Sequence, residues 1–249
     1  MKIRVLLAAI VVMLVSAACQ AAPQLLNETF LSDTSLVTGE PCEAPCWRNI
    51  TPGETTWLEA RIIIEDDSQL TNLTTEDVEE GGSVLLFNDG EGPQCCQIYT
   101  QDGETVTQVL TLLAPEMTLG QVLAKYGEPE YMTGADVSPD QTLVLLVFPD
   151  VPLGLYVFAP GIETGSLAAD NQVIGAIYLN PDDIDELLNT DLYYWEGYGA
   201  LSGMIDGEFD VRAVEATDGD TTDESTNADD SADDGTADTT PTEDATSSD

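Results

Sequence analysis

The chain contains no histidine, and its six basic residues stand against 47 acidic ones, a formal net charge of -41 over 249 residues. The missing histidine removes the usual general base near neutral pH and the commonest zinc ligand. Ser-His-Asp and Cys-His catalysis are excluded with it. The shortage of positive charge excludes nucleic acid and anionic lipid headgroups as partners, because binding them needs a basic surface. Beyond residue 18 the only basic residues are Arg48, Arg61, Lys125 and Arg212. Cations and basic proteins fit such a balance; so does plain solubility through self-repulsion.

A long hydrophobic span is also missing. The most apolar stretch, Val5 to Val15, follows Met1-Lys2-Ile3-Arg4 and ends in Ser16-Ala17-Ala18-Cys19. A charged start, a short apolar centre and a small-residue cleavage site read as a secretory signal, too short for a stable membrane helix. A cysteine directly after that site resembles a bacterial lipoprotein signal. The resemblance implies that residues 1–18 are removed and that Cys19 becomes a lipid-bearing (palmitate) N-terminus. It also implies an exported protein held by lipid at the extracytoplasmic face of a cell membrane.

Four further cysteines remain: Cys42, Cys46, Cys95 and Cys96. An even number in an exported chain reads as two disulfides. A bond between the neighbours Cys95 and Cys96 would be strained, so the expected bridges join the Cys42/Cys46 pair to the Cys95/Cys96 pair, in either arrangement. Each would close a loop of about 50 residues and contribute ~4 kcal/mol in the chain-entropy model. A four-thiolate zinc site fits neither the spacing nor an oxidising compartment, and no metal or other cofactor is expected.

Residues 19–40 are mostly polar and irregular and read as a flexible tether. Residues 215–249 hold Asp, Glu, Thr, Ser, Ala, Gly, Asn and Pro with no aromatic or basic residue. Such a tail cannot bury enough apolar surface to offset its ordering entropy, and disorder is expected. Between them, two units share one pattern, residues 41–114 and 115–214. Each opens with a Thr-containing turn and a short amphipathic helix: Thr55 or Thr56 caps the first, and Thr118 with Gln121 forms a capping box on the second. Gly127 should end the second helix in a left-handed cap, with Pro129 preventing its resumption.

Strand-like runs follow each helix. In the first unit they are Ser83–Asn88, Gln94–Thr100 and Thr105–Leu113, separated by Asp89-Gly90 and Asp102-Gly103 turns. In the second they are Glu130–Thr133, Thr142–Phe148, Gly154–Ala159 and Gln172–Leu179, before a short helix over Pro181–Leu188. The expected fold is α+β: helix then antiparallel sheet, twice, disulfide-stapled, with the helices packed on one face.

Thr51-Pro52-Gly53-Glu54-Thr55-Thr56 and Lys125-Tyr126-Gly127-Glu128-Pro129 make these units resemble small lipoproteins of the outer-membrane assembly type. Those share a helix-then-sheet unit with the tandem-repeat β-lactamase inhibitor protein. The resemblance implies a non-catalytic module that binds other proteins through its sheet. Around Pro45-Cys46-Trp47 and Ile50-Thr51-Pro52-Gly53 the chain is similar to uncharacterised bacterial lipoproteins, which implies location and no activity.

The candidate binding surface is the aromatic cluster Tyr193, Tyr194, Trp195 and Tyr198, since exposed Trp and Tyr serve as interface anchors. The competing expectation is that it packs over an open end of the sheet. Trp47 is expected to shield the disulfides and Trp57 to lie in the core. Asp218 to Glu224 gathers oxygen ligands without the spacing of a calcium loop. Asp182, Asp183, Asp185 and Glu186 read as a helix start and a solvated face. No carboxylate pair is marked as catalytic by its context. The expected function is therefore an interaction or scaffolding module of the cell envelope, whose partners are the membrane and another envelope or basic protein. The alternatives are a calcium-binding surface protein and a carboxylate-dependent hydrolase of envelope polymers.

Overall fold

Along Gln108–Leu113 buried Val109, Thr111 and Leu113 alternate with half-buried Gln108, Leu110 and Leu112. That period of two defines a strand with one fully covered face and one partly covered face. The computed structural model describes residues 25–212, apart from 79, 80 and 164. The segment expected to be a signal, Cys19 and the acidic run 215–249 lie outside the described residues.

The strands are β1 (Leu70–Asp77), β2 (Ser83–Asp89), β3 (Gln94–Thr100), β4 (Gln108–Thr118), β5 (Tyr131–Ser138) and β6 (Gln141–Phe148), followed by β7 (Leu153–Ala159), β8 (Ser166–Leu167), β9 (Gln172–Leu179), β10 (Tyr193–Tyr194) and β11 (Gly199–Ala200). Nine of them make one sheet in the order β1-β2-β3-β4-β9-β7-β6-β5-β10, with every neighbour antiparallel. β8 and β11 form a separate small pair. The protein is a mixed helix-and-sheet fold dominated by antiparallel strands.

The helices are short: α1 (Ser35–Thr38), α2 (Trp57–Asp66), α3 (Leu119–Tyr126), α4 (Ile184–Leu188) and α5 (Gly203–Asp206). Two start on capping boxes. Thr56 pairs reciprocally with Glu59 at α2, and Thr118 with Gln121 at α3, which satisfies amide donors that a helix start leaves free. Gly127 ends α3 by donating its N–H to the Leu123 carbonyl at 2.9 Å. Its φ is positive at 85° but its ψ is -167°, so it is not the left-handed helical cap expected from the sequence.

Ala60 and Ile64 of α2 and Leu119 and Val122 of α3 join one core with Phe87, Ile98, Val109, Leu155, Val157 and Ala176 of the sheet. The helix α4 departs from the expected one-sided packing. Its Ile184 packs with Tyr131, Val147, Leu179 and Leu192 in a second cluster. On β6 Val147 alternates with Leu146, which belongs to the main core, so α4 covers the opposite face.

Two further sequence expectations are corrected. The first concerns the cysteines, which lie at disulfide distance within each pair and not across the pairs. Cys42 joins Cys46, with α-carbons 5.7 Å apart, and Cys95 joins Cys96. The neighbours meet because the β2·β3 register shifts there: Phe87 opposes Cys96 and Asn88 opposes Gln94, which leaves Cys95 without an opposite residue. A bulge of this kind re-aims adjacent side chains that a regular strand would send to opposite faces.

The second correction concerns the expected tether. Its described part, residues 25–40, is packed against the domain: Leu31 is 0% and Leu36 2% exposed, and both belong to the main core. Leu31 donates its N–H to the Leu112 carbonyl at 3.1 Å and accepts from Ala114 N–H at 2.9 Å. It thereby continues the sheet hydrogen bonding of β4 where β4 loses its regular register with β9, between Leu112 and Met117.

Candidate functional site: the second face of the sheet

The face opposite α2 and α3 is the least covered apolar surface of the sheet. Its residues come from the alternate positions of β4, β9, β7 and β6: Leu110 and Leu112, Ile177, Tyr156, and Leu143 and Leu145, all half-buried. The sequence signal for this face was the nearly continuous apolar character of Thr142–Phe148 and Val173–Leu179. A strand that is apolar at every position has two faces to cover.

Two glycines shape its floor. Gly175 opposes Tyr156, and Gly154 opposes Ile177, across β7 and β9. A methyl group at Gly154 would sit 2.6 Å from Ile177 Cγ2, and one at Gly175 would sit 3.2 Å from Tyr156 Cδ2. Each glycine thus leaves the space into which its cross-strand partner lies. Burial pushes the Tyr156 phenol above its ordinary value, which keeps it neutral.

A strap crosses one end of this face. Leu25 N–H donates to Gln141 Oε1 of β6 at 3.1 Å, and six residues later Leu31 is bonded to β4. Between the strap and the sheet lies a cleft of about 320 Å³ lined by Leu25, Phe30, Leu110, Leu112, Leu143, Tyr156 and Ile174. The other end is bounded by α4. There a broader trough of about 560 Å³ runs between Tyr99, Gln108 and Ile177 on the sheet and Asp183, Glu186 and Leu187 beside and on the helix.

The aromatic cluster read from the sequence lies at the edge of the sheet and is not gathered on this face. β10 pairs Tyr193 with Met132 and Tyr194 with Tyr131 of β5. Tyr193 is half-buried, donates its hydroxyl to the Met204 carbonyl at 3.2 Å and meets Phe209 edge-on at 6.2 Å. Trp195 and Tyr198 meet edge-on at 5.9 Å, and Tyr194 and Tyr198 stay exposed. Tyr194 also meets Tyr131 of β5 at 5.3 Å, so the cluster's rings form three pairs, and part of the cluster closes the β5 edge.

A polar knot around Arg48 is tied into the fold. Arg48 and Asn49 both have positive φ, 49° and 64°. Arg48 bonds to Asp67 and to Gln69 Oε1 at 2.8 Å, and its Nε lies 3.8 Å from Asp33. Asp33 also accepts from the Trp47 indole at 2.9 Å and from Ser35 N–H at 2.7 Å. With two carboxylates matching the guanidinium, the cleft of about 510 Å³ beside it presents no free positive charge to an anion. Trp47 is fully buried and stacks on Phe87 at 6.1 Å, while Trp57 is half-buried against the core. Tyr178 is buried near the knot. Burial first, then the charge of Asp33, pushes its phenol far above the ordinary range, so it serves as a neutral group.

Among the described residues no cluster of three or more His, Cys, Asp or Glu side chains has a metal-binding arrangement, and no helix is long and apolar enough to cross a membrane. The acidic Asp218–Glu224 run falls outside the described residues. Comparison with family models, with curated proteins and with solved structures found no match.

Proposed function

We propose that this chain is a lipid-anchored protein of the bacterial cell envelope that binds another protein through the second face of its sheet. Cys19 carries the anchor in this reading, and the module is non-catalytic. The observation that carries the binding role is the trough beside α4. It combines an apolar and aromatic floor, Ile177 and Tyr99, with amide groups from Gln101 and Gln108 and an acidic rim from Asp183 and Glu186. Apolar anchors framed by hydrogen-bonding and charged groups are the composition of a recognition surface. The acidic rim and the charge of the whole chain favour a partner segment that is basic.

The order of elements supports a second part of the reading, that the domain consists of two related halves. Helix α2 precedes the meander β1-β2-β3-β4, and α3 precedes β5, β6, β7 and β9. The final strand of each half, β4 and β9, pair at the centre. The features that stand at corresponding places are the capping boxes, Thr56 with Glu59 before α2 and Thr118 with Gln121 before α3.

The test is chemical crosslinking in intact cells producing the full chain, a chain ending at Val214, and the variant Ile177→Glu with Tyr99→Ala, each followed by capture and mass spectrometry. A partner retained by the shortened chain and lost from the double variant supports the reading. A partner lost with the tail moves the function to residues 215–249. A partner indifferent to both changes removes the trough from consideration.

A further inference from the structure

The cleft under the strap differs chemically from the trough. Every side chain lining it is apolar except for the single hydroxyl of Tyr156. Its floor strands spend their backbone hydrogen bonds on one another in the β4·β9, β9·β7 and β7·β6 ladders and, where β4 leaves β9, on Leu31 of the strap. An extended peptide laid there would leave its own amide groups without partners, a costly arrangement in an apolar site. A hydrocarbon chain has no such requirement. At about 320 Å³ the cleft lies at the small end of the ~300–1,000 Å³ range of ligand sites, which suits part of one slender chain.

The position of the cleft points to the source of that chain. Leu25 forms part of its wall and is fixed there by the bond to Gln141. Cys19 is six residues upstream, so an extended connection spans at most ~20 Å. A free fatty acid would bring a carboxylate to a protein of net charge -41, whereas an acyl group in ester or amide linkage at Cys19 is uncharged. We propose that the cleft beneath the Leu25–Leu31 strap holds one acyl chain of the lipid carried by Cys19 of the same molecule. This rests on the reading of Cys19 as the lipidated residue. It makes the strap end of the second face the membrane-proximal end and leaves the trough beside α4 for the partner.

The proposal is tested on the full chain made in a lipoprotein-processing bacterium fed a fatty acid with a mid-chain diazirine. The purified protein is placed in phosphatidylcholine vesicles and irradiated. Its intact mass reports acylation separately. The expected result is an acylated protein crosslinked within itself at residues 110–112, 143 or 156, and a several-fold fall in that crosslink in Leu112→Gln with Leu143→Gln. A second sample carries unlabelled lipid on the protein and the diazirine on the phosphatidylcholine, and should leave the cleft unlabelled. Acylated protein without the internal crosslink overturns the proposal and leaves the lipoprotein reading intact. Labelling of the cleft by phosphatidylcholine assigns it to bilayer lipid and also overturns it. Absence of lipid mass overturns both readings. If the double variant does not fold, the contrast between the two labelled samples still decides.

Discussion

Tyr156 lies against Gly175, its cross-strand partner, and a methyl group built at Gly175 would meet the Thr111 carbonyl oxygen at 2.8 Å and the Tyr156 ring at 3.2 Å. The first of these neighbours is backbone and cannot swing aside. Gly175→Ala should therefore destabilise the domain by ~1–3 kcal/mol through overpacking. Gly154→Ala is a comparison on the same two strands, because its methyl group would meet side chains and no backbone below 3.4 Å: Ile177 Cγ2 at 2.6 Å and Leu145 Cδ1 at 3.0 Å. It should cost less than Gly175→Ala, about 1 kcal/mol, because packed side chains shift more readily than a backbone carbonyl held in a sheet ladder. Urea unfolding of the two variants should rank them in that order. The reverse ranking would show that the glycines have no part in shaping the face.

The disulfide connectivity has a direct chemical readout. Arg48 and Arg61 lie between the two cysteine pairs. Cleavage after them without reduction should release Cys42 and Cys46 on one peptide and Cys95 and Cys96 on another, each two mass units lighter than its reduced form. A single linked species would restore the cross-paired arrangement. Local bridges also constrain the unfolded chain less than long ones. Replacing Cys42 and Cys46 by serine should cost ~2 kcal/mol, against the ~4 of a bridge spanning about 50 residues.

The sequence made the regular elements readable where local chemistry decides them. The capping residues Thr56 and Thr118 start α2 and α3, and the run Gln172–Leu179 is β9 from end to end. β1 is not legible in the sequence, because Leu70–Asp77 is mostly threonine, asparagine and acid, and only Leu70 of the strand is buried. An edge strand with little to cover carries no alternation to read. The pairing of Cys95 with Cys96 depends on a bulge, and a bulge is a property of two strands in register. The strap was hidden for a related reason. Leu31 and Leu36 belong to short apolar pairs, Phe30-Leu31 and Leu36-Val37, in a mostly polar stretch, and only the gap in the β4 ladder tells where they go. The same dependence on strand order concealed the cleft: Leu112, Leu143 and Tyr156 come from three strands whose adjacency no local pattern specifies.

Two exposed carboxyls should make stability fall on the acid side. Thr56 holds the Glu59 carboxyl below its ordinary range, first through its hydroxyl at 2.8 Å and then through its backbone N–H. Asp102 is held low first by Thr105 N–H at 3.0 Å and then by Glu104 N–H at 2.8 Å. A lowered folded-state value means that the stabilisation is complete above the ordinary carboxylate range and is lost as pH falls through the folded value, below ~4. The melting-temperature gap between the parent and Asp102→Ala should therefore narrow between pH ~6 and pH ~3. A gap that stays constant over that interval would mean that the Asp102 turn does not depend on its charge. Titration by NMR should place both carboxyls below model-peptide values.

The packed strap makes a prediction that a flexible tether would not. Leu31 is fully buried in the main core and bridges to β4, whereas Leu26, five residues earlier, is 40% exposed. Leu31→Ala removes a buried side chain that β4 and the core hold in place, and should cost ~2–5 kcal/mol as a transfer and cavity term. Leu26→Ala should stay within ~0.5 kcal/mol of the parent, as surface changes do. A tether would give no measurable loss at either position, because its residues would be as hydrated in the folded protein as in the unfolded one. Urea unfolding followed by tryptophan fluorescence suits the comparison. Trp47 is fully buried and hydrogen-bonded to Asp33, two residues beyond Leu31, so its signal reports the environment that the strap closes. A large loss at Leu31 with none at Leu26 would place the folded boundary of the domain inside residues 19–40, close enough to Cys19 for the anchor to bear directly on the sheet.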